Sequence, residues 1–123
     1  MSPVPFQVRS EELESGIRAF AVHGELDMNT VPELERDLEQ ALADSRASIV
    51  LDLSECEFID STGIALIVRS WQRLDRSGGN GGDGRLVLCS INHQVRRLLQ
   101  ITGVESSISM HEDRGAALAE LRD

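Results

Sequence analysis

The chain has 123 residues, with 21 acidic side chains against 12 arginines and no lysine, for a formal net charge of −9. That length is read as one domain over residues 1–123, able to bury roughly two-thirds of its unfolded surface without disulfide or metal staples. The composition argues against three classes: no apolar run approaches the roughly 18–20 residues of a membrane span, the start lacks a basic and then apolar leader and so points to the cytoplasm, and the acidity repels nucleic-acid backbones.

In chain order, residues 5–8 and 17–22 read as strands, joined by the polar segment 10–16. Gly24 is expected to break the second strand into a loop over residues 25–29. Thr30-Val31-Pro32-Glu33 follows the capping-box pattern. Val31, Leu34, Leu38, Ala41 and Leu42 then repeat at helical spacing to an end near Asp44-Ser45. The run Ile49-Val50-Leu51-Asp52-Leu53 predicts a strand buried on both faces. Ser61 or Thr62 opens a second helix, with Ile64, Ile67, Val68, Trp71 and Leu74 on one face and Arg69, Arg73 and Arg76 on the other. Leu66 falls beside Arg73 on the polar side, placed to touch a docked partner.

Residues 77–84 form a glycine-rich connector. With no lysine in the chain they cannot be a phosphate-binding G-x-x-x-x-G-K-[ST] loop. A short strand follows over residues 85–89. Asn92 caps a helix carrying Val95, Leu98 and Leu99, and Gly103 terminates it. A weak strand over residues 107–110 precedes a final helix, capped by Asp113 and carrying Ala116, Ala117, Leu118 and Leu121. The alternation predicts an α/β domain: a mainly parallel sheet of four or five strands, an N-terminal hairpin and about four helices.

The charge is uneven. Residues 1–60 hold 14 acids and 4 arginines, whereas residues 61–123 hold 7 acids and 8 arginines. A basic protein partner suits the first half. Cys56 and Cys89 lack metal-ligand spacing and read as buried apolar side chains. His23, His93 and His111 form no cluster.

The chemistry concentrates at Phe58-Ile59-Asp60-Ser61-Thr62-Gly63. A serine where a buried strand gives way to a helix can cap that helix, or take a phosphate before its positive end. A nucleophile elbow would need glycine at position 59, where Ile59 stands. Asp27 and Asp60, on neighbouring loops, resemble a divalent-cation pair but lack a third ligand. They read better as loop organisers that accept backbone hydrogen bonds.

Leu51-Asp52-Leu53-Ser54 and Phe58-Ile59-Asp60-Ser61-Thr62-Gly63 together resemble the core signature of STAS domains, specifically the bacterial anti-sigma-factor antagonists. Gly24-Glu25-Leu26-Asp27 is similar to that family's loop before the first helix. Val95, Leu98, Leu99, Thr102 and Gly103 match its third-helix pattern, and Ala116-Ala117-Leu118 its final helix. Cys56 departs from the larger aliphatic residue usual there. The resemblance implies a stress-responsive transcription regulator that is a substrate and not an enzyme. Unphosphorylated, it would bind an anti-sigma factor that is itself a serine kinase and so free the sigma factor. Phosphorylation at Ser61 would end the binding, and a serine phosphatase would restore it. Asp27, Asp60, Thr62 and Gly63 would shape the partner-binding loops, with Thr62 the rival hydroxyl. No cofactor is implied, because the kinase would bring nucleotide and Mg²⁺; nor is a nucleic-acid or membrane partner. The alternative is a STAS scaffold or accessory subunit of a transporter or larger signalling assembly, without a phospho-switch.

Overall fold

The computed structural model describes residues 5–44, 46–78 and 84–122, with side chains except at 75–78 and 105. One five-stranded sheet organises them. Strand β1 (Gln7–Glu14) pairs antiparallel with β2 (Ile17–Leu26), and β3 (Ser48–Ile59), β4 (Leu86–Cys89) and β5 (Met110–His111) follow in parallel, so spatial order repeats chain order. The connecting helices are α1 (Val31–Leu42), α2 (Ser61–Gly78) and α3 (His93–Thr102), and α4 (Arg114–Arg122) closes the described chain. Each parallel strand adds on the same side of its predecessor, and crossovers of this kind share one hand. Helices α1 to α3 accordingly share a face of the sheet, where Leu34, Leu38, Ile67, Leu74, Val95 and Leu99 pack with Phe20, Leu51, Leu53 and Leu88. Helix α4 covers part of the other face, with Ala117, Leu118 and Leu121 against Ile17, Ala19, Val50 and Val87. Strand β3 lies between the two cores, which is why its apolar run is continuous.

Several boundaries differ from expectation. The polar segment 10–16 is mostly strand; β1 runs to Glu14 and the turn is at Ser15-Gly16, with Gly16 at φ +82°. An edge strand can carry polar residues along its solvent side, so polarity there does not mark a loop. Gly24 does not break β2. It sits at φ +101° beside a register shift, and pairing continues to Leu26. Two such shifts occur, one as Ala21/His23 face Asp52/Glu55 and one as Gly24/Glu25 face Cys56/Phe58. Each inserts an extra residue into β3, a β-bulge that bends the strand and re-aims its end. The third strand therefore reaches Ile59 and not Leu53. The last strand is shorter and later than expected, at Met110–His111. Helix α2 extends to Gly78, into the expected connector; residues 79–83 of that connector lie outside the described residues.

Leu66 is a correction. It is 2% exposed and belongs to the main core, so it offers no side chain to a partner. Helix α2 packs against α1 as well as the sheet, which widens its buried arc beyond the single stripe read from the sequence. A small groove beside Leu66 is lined also by Leu42, Ser70, Glu35, Glu39, Arg69 and Arg73. Pairs Arg69–Glu35 (3.6 Å) and Arg73–Glu39 (2.7 Å) link the two helices there. Cys56 and Cys89 are free and buried, as expected. Burial pushes the Cys56 thiol up to about 11, which keeps it protonated and unreactive at neutral pH.

Candidate functional site

Leu26 pairs with Ile59 at the ends of β2 and β3, which sets the two following loops side by side. This is the carboxyl edge of the parallel strands, where α/β sheets hold their functional loops. Asp60 joins the loops. Its backbone N–H donates to the Leu26 carbonyl (3.1 Å), and its Oδ2 accepts the Met28 N–H (3.2 Å). Its Oδ1 accepts the N–H of Thr62 (2.9 Å), the N–H of Gly63 (3.0 Å) and the Thr62 hydroxyl (2.5 Å). The Ile64 N–H closes the first turn onto the Asp60 carbonyl at 3.0 Å. Asp60 thus caps α2, the duty that the sequence allowed to Ser61. Partial burial pushes its carboxyl up. The hydrogen bonds from the Thr62 hydroxyl and from the N–H groups of Gly63, Met28 and Thr62 outweigh that and hold it below the usual aspartate range.

Gly63 is required by close approach. A Cβ there would lie 2.8 Å from Ile59 Cγ1 and 2.9 Å from both the Leu26 Cγ and the Leu26 carbonyl oxygen. Without a side chain, the first turn of α2 seats directly on the ends of β2 and β3.

Asp27 organises the other loop in the same manner. Its Oδ1 accepts the N–H of Asn29 (2.9 Å) and of Thr30 (3.2 Å), and its carbonyl accepts the Val31 N–H at 2.8 Å. The expected capping box does not form. The Thr30 hydroxyl donates to the Glu25 carbonyl (2.8 Å) and accepts the Asp27 N–H (2.9 Å), so it braces the loop and does not cap α1. Both aspartates are therefore loop organisers through backbone hydrogen bonds.

Ser61 is exposed at the first position of α2, and none of these bonds uses its hydroxyl. Thr62 is also exposed, but its hydroxyl is committed to Asp60. The structure thus gathers Asp27, Asp60, Ser61, Thr62 and Gly63 into one site and leaves Leu66 in the core. It adds one residue that the sequence reading passed over: Met28, 70% exposed, is tied to Asp60 through its N–H. The available signal was an apolar side chain in an otherwise polar loop. Chemically, the arrangement is a hydrogen-bonded pedestal that presents the exposed Ser61 hydroxyl at a helix entrance, next in the chain to the Asp60 carboxylate.

A model of the STAS domain matches residues 11–117. The chain belongs to the STAS family. The anti-sigma-B factor antagonist of Staphylococcus aureus is 34% identical over 91 residues, which are 74% of this chain and 80% of that relative. The anti-sigma F factor antagonist of Paenibacillus polymyxa is 27% identical over 111 residues, covering 89% of this chain and 91% of that protein. Among solved structures, an anti-sigma factor antagonist from Mycobacterium paratuberculosis superimposes with a TM-score of 0.83 at 28% identity, over 97% of this chain and 96% of that one. The sheet order and helix placement described above are thus those of a STAS domain. No helix among its described residues is long and apolar enough to cross a membrane.

Proposed function

We propose that this STAS domain is an anti-sigma-factor antagonist, that residues 1–123 act as one unit, and that phosphate on Ser61 switches its partner binding off. The similar proteins from Staphylococcus aureus and Paenibacillus polymyxa, both named as such antagonists, support the general role. The observation that carries the switch is the division of labour at the entrance of α2. Asp60 does the capping, so the exposed Ser61 hydroxyl has no structural duty to lose on modification.

Magnitudes favour a switch in binding over a switch in folding. A phosphoryl group brings roughly −1.5 to −2 charges at neutral pH. The positive end of α2 offsets this by about 0.3–1 kcal/mol at an exposed site. Asp60 already occupies the N–H groups of Thr62 and Gly63, so they cannot grip the phosphate, and its carboxylate adds repulsion. The free domain therefore keeps its fold, with the dianion in water. Docking a partner over that dianion removes the water, which costs on the order of several kcal/mol unless a cation replaces it. The unmodified protein would thus bind an anti-sigma factor with serine-kinase activity. That kinase would phosphorylate Ser61, and a phosphatase would reverse the step.

The test is incubation with ATP and serine-kinase anti-sigma factors from the same genome, followed by mapping of the phosphate and a comparison of partner affinity. The reading expects one phosphate on Ser61 and at least about a hundredfold loss of affinity, the equivalent of roughly 3 kcal/mol. Phosphate on Thr62 alone would overturn the residue assignment. Equal affinity of modified and unmodified protein would overturn the switch, and tight binding without phosphate transfer would favour a scaffold role.

A further inference from the structure

Outside the Ser61 site, one surface combines apolar exposure with unpaired charge. A groove of about 500 Å³ between the end of β3 and the outer side of α3 is lined by Phe58, His93, Gln94, Arg97, Leu98 and Ile101. Ile101 is 76% exposed, more than the other large exposed apolar side chain among the described residues, Met28. None of the lining residues is acidic, and α3 as a whole carries Arg96 and Arg97 with no acid, in a chain of net charge −9. Neither arginine makes an ion pair among the described residues, a state they share with Arg9, Arg18, Arg36 and Arg46; what sets the pair apart is that they sit side by side on a helix that carries no acid. A cationic, apolar groove on an acidic protein calls for an occupant that is apolar along one side and acidic along its flanks.

We infer that the groove between β3 and α3 is a second docking surface, and that it takes an acidic amphipathic segment of a partner protein. A second copy of this chain is a poor fit. Its acidic helix α1 has Leu34, Leu38 and Leu42 in its own core and presents no apolar ridge. The groove borders the Ser61 loop through Phe58 but shares no residue with it, so the inference stands apart from the phospho-switch.

The probe is a designed helical peptide of about 16 residues with leucines on one side and glutamates on both flanks, beside a counterpart with lysines in place of the glutamates. The glutamate peptide is expected to shift the backbone NMR signals of Phe58, Arg97 and Ile101 and to bind more weakly as salt rises. Arg97→Glu and Ile101→Ser should each weaken it at least about fivefold, the scale of one surface ion pair or one partly buried side chain. Both positions are exposed, so unchanged melting temperatures would show that the variants remain folded. Ser61→Ala should leave the peptide affinity unaltered, which separates failure here from failure of the switch. Equal binding of the lysine peptide, or indifference to both variants, would overturn the inference. So would sedimentation showing self-association that Ile101→Ser abolishes.

Discussion

At the residue scale, Asp60 and Ser61 are adjacent in sequence and opposite in duty. Asp60 fastens α2 to the ends of β2 and β3 through the N–H groups of Met28, Thr62 and Gly63, while the Ser61 hydroxyl faces solvent. Ser61→Ala should therefore change unfolding free energy by less than about 0.5 kcal/mol while removing the phosphate acceptor. Asp60→Ala should lower it by about 1–2 kcal/mol, the usual cost of a lost cap. Chemical denaturation of the two variants measures the contrast, and a large loss in Ser61→Ala would return a structural role to the hydroxyl. The Asp60 carboxyl is held below its ordinary range, so its stabilisation is fully present above pH ~4 and fades as pH falls through the folded-state value. The gap between wild type and Asp60→Ala should narrow progressively in denaturation series taken from neutral pH to below pH ~4. Gly63→Ala sets better helix propensity against contact with Ile59 and the Leu26 carbonyl. Contact should win, with a loss of about 1–3 kcal/mol.

At the scale of elements, the neighbours of α2 decide which side chains count as core. Leu66 is buried because α1 lies alongside, and the pairs of Arg69 with Glu35 and Arg73 with Glu39 close the seam over it. Leu66→Ala should cost about 2–5 kcal/mol, the range for truncating a buried leucine, seen as a clear fall in melting temperature. Helix α3 shows the opposite case, in which local sequence suffices. Asn92 Oδ1 accepts the Val95 N–H at 2.9 Å, and Gly103 ends the helix at φ +78°, both as expected from the residue types. Asn92 also donates to the Cys56 carbonyl at 2.6 Å, which ties the start of α3 to the bulged part of β3.

Across the whole molecule, α4 is the most lightly held helix, with Ala117 alone fully buried and charged contacts doing much of the anchoring. Arg114 donates to Asp52 at 2.8 Å and to Glu11 at 2.9 Å, and Arg122 pairs with Glu14. Asp52 is 6% exposed, on the α4 side of β3. Burial pushes its carboxyl up, but the Ser54 N–H and Arg114 outweigh that and hold it below the usual range. Arg114→Met strands a buried carboxylate. It should cost about 2–3 kcal/mol, less than for a fully buried pair because Arg114 is partly in water. The carboxyl is depressed in the folded state, so this stabilisation is present above pH ~4 and lost on acidification through the folded-state value. Thermal melts at pH 7 and pH 3 should thus show a difference that shrinks at the lower pH.

The sequence by itself determined the fold class, the helix starts at Asn92 and Asp113, the burial of both cysteines and the place of the Asp60–Gly63 segment. These follow from local rules, namely hydrophobic period, cap chemistry and glycine conformation, which act within a few residues. Only the tertiary structure decided how far the strands run, which hydroxyl is free and which face of α2 is wet. The polar residues of β1 became strand because β2 supplies their backbone partners, and β3 outran its apolar core because bulges keep it paired with β2. Asp60 took the cap from Ser61 because the Leu26 carbonyl and the Met28 N–H, 32 or more residues away in the chain, hold it in place. Each of these outcomes depends on a partner outside the segment being read, three to ten residues away for residues 10–14 across the β1–β2 hairpin and more than 30 away for β3 and Asp60, and a pattern read along one segment contains no record of such a partner.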